Sequence, residues 1–453
     1  MSDADGALHP SGAASTRRRA ARARPPPVSR TDASAAGGTT QTSSRPAPSL
    51  SETPGSPAPP SPRRLLVGFF AASASLVLIF VGAGTPIPLF PTYRLEDGLT
   101  NADLAAAAAT YMVAAAFSLL VLGRLSDHFG RRPIAVVALV LAAGGMGALL
   151  TVDGEAPLLL GRGLQGLATG IATSALGAYV IDSAPRRPPW LAAVVTSAAP
   201  MLGIPTGALL SGALVDHGPD PRHLTYGVVL VGLLAAGLAV ALSPETTPRT
   251  SLRRAAASLR PRITVPRGAG RPLLAMSALI LATWSVGGFY QSFGPSITTD
   301  HLGSTSALVA AAVFSSFTVL NMIGGPLTAR LRPVLGLRLG AAAYVLVLAG
   351  ILASLAAGAI VPFVVLSLVA GITQGTAQTG GMRTLLPMTS PGERAGLVST
   401  IYLVNYSSAA IPSLIAGRLT EHLSLVTIGL GYGVLALLAV TAALVLSRSP
   451  RQG

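Results

Sequence analysis

The chain has 453 residues, of which 50% are hydrophobic and 11% are charged, and its formal net charge is +15 at pH 7. This composition excludes an ordinary soluble domain, whose helices need a polar face, and the absence of cysteine excludes disulfides and thiolate metal sites. All the basic residues are arginines in particular loops and tails, so we expect no nucleic-acid partner.

Residues 1–62 are rich in Pro, Ser, Ala and Arg and show no apolar periodicity. Such a segment buries too little apolar surface to offset its ordering entropy, so we expect a disordered tail.

Twelve apolar segments follow, each long enough to cross about 30 Å of hydrocarbon. They predict an all-α membrane protein with two six-helix bundles, residues 63–243 and 272–446. Residues 244–271 form a basic linker, and residues 447–453 form a short tail. The predicted spans are 65–90, 103–122, 133–151, 156–181, 189–213, 224–243, 272–296, 305–328, 337–357, 360–383, 395–417 and 424–446.

Arginine is distributed unequally between the loops on the two sides. Of the 32 arginines, Arg94, Arg222 and Arg418 fall on one side, Arg162 falls within a span, and 28 fall on the other side. Because loops rich in basic residues stay in the cytoplasm, both termini and the linker are predicted to be cytoplasmic.

The two halves share short matches in the same order. Gln165-Gly166 matches Gln374-Gly375, and Ile204-Pro205 matches Ile411-Pro412. Asp216 matches Glu421, again at an offset of slightly more than 200 residues. These matches indicate a parallel six-span duplication.

The loop between spans 2 and 3 carries a distinctive motif, which contains Gly123, Asp127, Gly130, Arg131 and Arg132. It resembles the signature loop of the major facilitator superfamily of transporters. The resemblance implies twelve transmembrane helices in two pseudo-symmetric six-helix bundles. It also implies that Asp127 bonds basic loop residues and faces the start of span 11 as a conformational latch. The alternative is that the arginines only anchor the loop.

Span 4 contains a buried charge, Arg162, with Gln165 one turn later on the same face. This segment resembles the span-4 motif of the same superfamily. An arginine within a membrane costs roughly 2.5–3.5 kcal/mol on insertion scales, so it should face the bundle interior and find partners. We expect a role in coupling or substrate contact, the alternative being an arginine that snorkels to the interface.

Span 5 carries Pro200, Gly203, Pro205 and Gly207. It resembles the antiporter motif of drug–proton antiporters in this superfamily, although Ile204 splits the Gly-Pro pair. These residues predict a kinked helix with a smooth, closely packed face. Ordinary packing by small residues is the alternative.

Other polar or amphipathic side chains in the spans are candidates to line a substrate path. Each could instead make a helix–helix hydrogen bond, although the last three share one helical face. They are Tyr111, Trp284, Tyr290, Gln291, Asn321, Gln374, Gln378, Tyr402, Asn405 and Tyr406.

No acid or histidine lies well within a predicted span, which favours a neutral or anionic substrate over a cation. The sequence has no phosphate-binding loop, serine elbow or zinc motif, so we expect no enzyme activity, no cofactor and no metal.

The expected protein is therefore a monomeric secondary transporter in a bacterial inner membrane, with small-molecule substrate, protons and lipid bilayer as partners. Its expected activity is proton-coupled efflux of an amphipathic drug or secondary metabolite. An importer or sugar-type exchanger on the same scaffold is the first alternative, and a non-transporting membrane receptor is the second.

Overall fold

The computed structural model describes residues 61–247, 259, 263, 265–390 and 393–447. The predicted disordered tail 1–62 lies outside these residues except at its last two positions. Most of the linker 244–271 and all but the first residue of the tail 447–453 lie outside them as well.

The described part of the first half contains six long helices. Their bounds are α1 Pro62–Gly84, α2 Asn101–Phe117, α3 Arg131–Leu150, α4 Glu155–Ser183, α5 Leu191–His217 and α6 Pro221–Leu242. The described part of the second half repeats this arrangement. Its bounds are α7 Gly270–Asp300, α8 Ala307–Val319, α9 Pro333–Ala356, α10 Ile360–Leu385, α11 Arg394–Leu419 and α12 Leu425–Leu446.

Eleven of these helices, counted with their short continuations, are long and apolar enough to cross a membrane within the described part of the chain. The remaining helix, α11, has 26 residues and is more polar, because Ser, Thr, Tyr and Asn side chains interrupt its apolar residues. It packs against α2 and α7. Its length and position make it the twelfth span, so the fold is the predicted all-α membrane architecture.

Several helices are interrupted, so that their regular pattern of backbone hydrogen bonds stops. Pro86 and Pro88 lack the N–H that a helix needs, and α1 is followed by a 3₁₀ turn, Ile87–Leu89, and a short helix, Phe90–Glu96. A π-helical segment, Ser118–Leu122, follows α2. A short helix, Asn321–Leu327, continues α8 after a break at Leu320.

Each half has its own apolar core, and the core of the second half also includes Ile87, Ala105 and Ala208 of the first. A small third cluster joins the halves as well. This central cluster contains Ala83 of α1, three residues of α2 and two of α11, with Ile204, Trp284 and Tyr406 packed against it. Its fully buried members are Ala83, Ala109, Tyr111, Met112, Ala409 and Ala410. Side chains from both halves therefore meet in the middle of the protein.

The two ends of the bundle differ in charge. The arginine-poor face contains the loops 97–100, 151–154, 218–220, 301–306, 357–359 and 420–424. The arginine-rich face contains the described residues of segments 123–130, 184–190, 243–247, 320–332 and 386–393.

Candidate functional site

The loop between α2 and α3 carries Asp127, whose half-exposed carboxylate faces Arg131. The short helix Ser126–Phe129 places Asp127 one turn before Arg131, and the two form an ion pair. Arg131 also donates from Nε to Asp182 of α4 at 3.0 Å and from Nη1 to Ser126 at 2.9 Å. Arg131 thus links the loop to α4.

Gly130 connects this loop to α3 with a φ of 97°, a backbone conformation that favours glycine. Glu245, beyond α6, approaches this glycine and accepts hydrogen bonds from the backbone N–H groups of Arg131 and Arg132, at 2.8 and 3.2 Å. A carboxylate at a helix N-terminus satisfies free N–H groups and complements the helix dipole. Arg132 also donates to the Ser243 carbonyl at 3.3 Å, so the loop is fixed to the end of α6.

Within the described residues, no hydrogen bond joins Asp127 to the start of α11. That start has a carboxylate of its own, Glu393, which accepts from the hydroxyl and the backbone N–H of Ser390 at 2.7 and 3.1 Å. These hydrogen bonds lower the pKa of Glu393. The resemblance-based role of Gly123, Asp127, Gly130, Arg131 and Arg132 as a latch therefore stays a prediction. Gly123 itself ends the π-helical segment and faces Ser174 of α4.

Arg162 is fully buried, with 0% of its surface exposed, so its guanidinium does not snorkel. Its Nη1 donates to the Ala83 carbonyl at 3.0 Å and to Gln165 Oε1 at 2.8 Å. Gln165 in turn donates to the Gly82 carbonyl at 2.9 Å. The guanidinium carbon lies 4.4 Å from the centre of the Tyr111 ring, a distance that suits a cation–π interaction.

Three aromatic side chains of the second half, Trp284, Tyr402 and Tyr406, form a group next to the central cluster. Trp284 of α7 meets Tyr406 of α11 edge to face, with ring centres 5.8 Å apart. Tyr406 stacks with Tyr402 at 6.4 Å. Trp284 and Tyr406 pack against the central cluster that contains Tyr111. Tyr111 therefore links Arg162 to this aromatic group where the halves meet.

Several buried polar atoms on the helices that meet here have no hydrogen-bond partner within the described protein. They include Arg162 Nε and Nη2 on α4, Trp284 Nε1 on α7 and Asn405 Oδ1 on α11. Leaving a buried donor or acceptor unpaired costs about 1–3 kcal/mol, and more for a charged group. A polar ligand bound where the halves meet would give some of these atoms a partner.

The other predicted path residues lie elsewhere. Tyr290 is 2% exposed, bonds Ser367 at 2.5 Å and stacks on Phe317 at 4.8 Å, so it belongs to the core of the second half. Asn321 begins the short continuation of α8. The glutamines lie on α7 and α10, where Gln374 is buried and Gln291 and Gln378 are partly buried.

Helix α5 runs unbroken through Pro200 and Pro205. Its glycines lie against α1: a Cβ on Gly203 would collide with Phe80, and one on Gly207 would collide with the Val81 carbonyl. Small residues let the two backbones approach closely, as the sequence predicted for this face.

An apolar groove of about 480 Å³ lies between α2, α4 and α11, next to the central cluster. Its lining residues are Ala106, Ala109, Thr110, Val113, Ala114, Phe117, Gly163, Leu167 and Leu414. Ala109 belongs to both the groove and the central cluster.

Polar contacts join the halves at the arginine-poor face. Arg94 pairs with Asp300 at 2.7 Å, and Ser296 donates to Asn101 at 2.8 Å. Asp216, at the end of α5, accepts from the Ser306 hydroxyl at 2.5 Å. It also accepts from the first two backbone N–H groups of α8, at 2.8 and 3.1 Å. The structure therefore has the two halves in contact on this face.

The contact of Asp216 with α8 was not foreseen from the sequence. The one signal was the match of Asp216 with Glu421 in the repeat. The structure shows why that match was incomplete: Glu421 is exposed, and the start of α2 is capped by Thr100 and Asp103 from its own chain segment.

Comparisons with known proteins identify this architecture. Residues 72–361 match the family model described as Major Facilitator Superfamily. Multidrug resistance protein MdtL of Klebsiella pneumoniae is 26% identical over 246 residues, or 52% of this chain and 59% of that protein. Quinolone resistance protein NorA of Staphylococcus aureus is 26% identical over 203 residues, or 43% of this chain and 49% of that protein. The chain thus spans about half to three fifths of the length of these relatives.

Two solved structures share the fold at 14% sequence identity. The nucleoside transporter NupG, solved as a point mutant, has a TM-score of 0.63 and covers 84% of this chain and 99% of its own. A bacterial homologue of the human lysosomal transporter Spinster, in an inward-facing and unoccupied conformation, has a TM-score of 0.66. It covers 86% of this chain and 98% of its own.

Proposed function

Because this chain belongs to the Major Facilitator Superfamily, we propose that it exports a small amphipathic molecule, neutral or anionic, in exchange for protons. The observation that carries the proposal is the position of Arg162. This buried guanidinium lies against Tyr111 of the central cluster where the halves meet, and two of its nitrogens have no partner within the described protein. Two relatives named for drug resistance support efflux as the direction.

The proposed site suits an amphipathic molecule. Arg162 and Asn405 offer polar groups, whereas Tyr111, Trp284 and Tyr406 offer ring faces and edges. The apolar groove between α2, α4 and α11 adjoins this site and offers a route for the apolar part of a substrate. Within the described helices, the acids lie only in the first or last turns, so a cationic substrate would find no carboxylate at the centre.

Transport in this proposal proceeds by alternating access. The contacts of Arg94, Asn101 and Asp216 with the second half close the arginine-poor face in the present arrangement. Opening that face breaks these contacts, and the loop of Asp127 then holds the arginine-rich face closed. A carboxylate near a helix start contributes roughly 0.3–1 kcal/mol, which is small enough for the contact to form and break in each cycle.

The proposed setting is a bacterial inner membrane, with both termini and the arginine-rich face in the cytoplasm and the protein working as a monomer.

Inverted membrane vesicles from a strain that lacks its own efflux pumps test this proposal. A growth screen of the strain against toxic compounds first identifies a substrate. Efflux predicts that this substrate accumulates in inverted vesicles when a pH gradient is imposed and that accumulation stops when the gradient is collapsed. Accumulation only in right-side-out vesicles would instead support an importer.

A further inference from the structure

The guanidinium of Arg162 is held in one orientation by the protein itself. Its Nη1 is used by the Ala83 carbonyl and by Gln165, and one face lies against the Tyr111 ring. The remaining nitrogens, Nε and Nη2, are buried and have no partner within the described protein. Together they form one edge of the guanidinium, with two N–H groups that point in the same direction.

Such an edge has a well-defined complement. Two parallel N–H donors match the two oxygens of a carboxylate, and this bidentate pairing is a preferred interaction of arginine. No carboxylate of the described protein fills the position, because the acids of the described helices lie in their end turns. An anion from outside the protein would complete the hydrogen bonding and balance the charge.

The surroundings indicate what the rest of that anion contains. Trp284 and Tyr406 present aromatic rings from the second half, and both pack against the cluster that holds Tyr111. Trp284 Nε1 and Asn405 Oδ1 add one unpaired donor and one unpaired acceptor within the described residues. Rings of this kind favour a flat aromatic body over an extended polar one.

We infer that the substrate is an aromatic carboxylate, with its carboxylate on the Nε–Nη2 edge of Arg162 and its ring among Trp284, Tyr402 and Tyr406. This inference rests on the proposed transport function and narrows its substrate class from neutral or anionic amphipaths to aromatic organic anions. Arg162 is thus the residue that selects for the charge of the substrate.

Tryptophan fluorescence of the purified full chain tests the inference directly. The chain has two tryptophans, Trp190 and Trp284. Replacing the exposed Trp190 in the variant Trp190→Phe leaves Trp284 as the source of the tryptophan fluorescence. The probes are 1-naphthoate, its uncharged amide 1-naphthamide and the cation 1-naphthylmethylammonium, which share one ring system. The inference predicts that the naphthoate binds at least tenfold more tightly than either of the other two.

Variants then assign the selectivity to the edge of Arg162. Arg162→Gln should weaken naphthoate binding at least tenfold and leave naphthamide binding within twofold. Arg162→Lys keeps the positive charge but lacks the two parallel N–H donors, so it should recover only part of the lost naphthoate affinity. Equal affinity for naphthoate and naphthamide in the Trp190→Phe protein that keeps Arg162 would overturn the inference, even if the Arg162 variants failed to fold.

Transport measurements separate this inference from the proposed function. If naphthoate binds through Arg162 but a pH gradient never moves it in inverted vesicles, the export proposal fails and the binding site stands. If uncharged amphipaths are exported and naphthoate shows no preference, the export proposal stands and the inference fails.

Discussion

At the scale of single residues, Asp127 lies in the loop between α2 and α3. Its carboxylate pairs with Arg131, which also holds Asp182. Asp127→Asn should lower the transport rate several-fold while membrane insertion is unchanged, because a partly exposed ion pair contributes only about 0.2–1 kcal/mol to stability. Uptake into inverted vesicles, normalised to inserted protein, measures this effect.

Asp153→Asn is the matched control, because Asp153 is an exposed aspartate in the loop between α3 and α4. It should leave transport unchanged. A wild-type rate for Asp127→Asn would show that the loop anchors the protein without acting as a latch.

Sequence reasoning located the residues of the site better than their partners. Gln165 was expected beside Arg162, because residues three apart share a helical face. The carbonyls of Gly82 and Ala83 could not be expected, because they become acceptors only where α1 and α4 pack together. Glu245 was also missed, because it lies more than 100 residues from the backbone groups that it binds. Tyr290 was singled out for its polar hydroxyl, and the structure gives that hydroxyl a partner within the core.

At the scale of helices, the end of α5 and the start of α8 form a contact between the halves through Asp216. Asp216→Asn removes the charge that complements the start of α8, at a cost of about 0.3–1 kcal/mol. The population with an open arginine-poor face should therefore rise about two- to fivefold. Distances between spin labels at His217 and Thr305, both exposed, measure the two populations.

Glu421→Gln provides the control at the matched position of the second half. Glu421 is exposed, and the start of α2 has its own capping box, so this variant should leave the distance distribution unchanged. An unchanged distribution for Asp216→Asn would mean that its contact does not help to close this face.

The packing of α5 against α1 depends on the absence of a side chain at Gly207. A Cβ there would collide with the Val81 carbonyl, so Gly207→Val should destabilise the protein by about 1–3 kcal/mol. Gly227→Val on α6 is the control, because a Cβ at Gly227 meets nothing within 4 Å. Thermal unfolding in detergent should show a lower Tm for Gly207→Val alone, and equal Tm values would contradict this account of the packing.

Helix positions were largely predictable, because long apolar runs and short polar loops are strong local signals. The prolines after residue 84 are a local signal for the distortion that ends α1. The break of α8 at Leu320 had no such signal, since neither Pro nor Gly occupies residues 317–321. There α10 packs tightly against the break, and a Cβ on Gly375 would collide with the Asn321 carbonyl. The interruption thus accompanies a tertiary contact that a local pattern does not contain.

At the scale of the whole molecule, the unequal distribution of arginine predicts the orientation. Arg186→Cys, in the loop between α4 and α5, and Asp153→Cys, in the loop between α3 and α4, lie on opposite faces and are both exposed. The chain has no cysteine of its own, so labelling is specific. A membrane-impermeant maleimide should label Asp153→Cys in intact cells and Arg186→Cys only after lysis. The reverse pattern would invert the orientation.

The fold as a whole follows from the sequence because the membrane leaves few alternatives for twelve apolar segments. The duplication predicts that the site lies between the halves, but it does not predict which residues form the site. Which side chains meet there depends on how α2, α4, α7 and α11 approach one another, and that approach is set by contacts between residues far apart in the sequence.

The central claim is that the halves move apart at the arginine-poor face in every transport cycle. A disulfide between Asn101→Cys and Ser296→Cys tests it most directly, because these side chains bond each other across the halves at 2.8 Å. With the disulfide formed, the double variant should bind substrate and transport none, and reduction should restore transport. Transport at the same rate before and after reduction, with the disulfide verified in the protein, would contradict the claim.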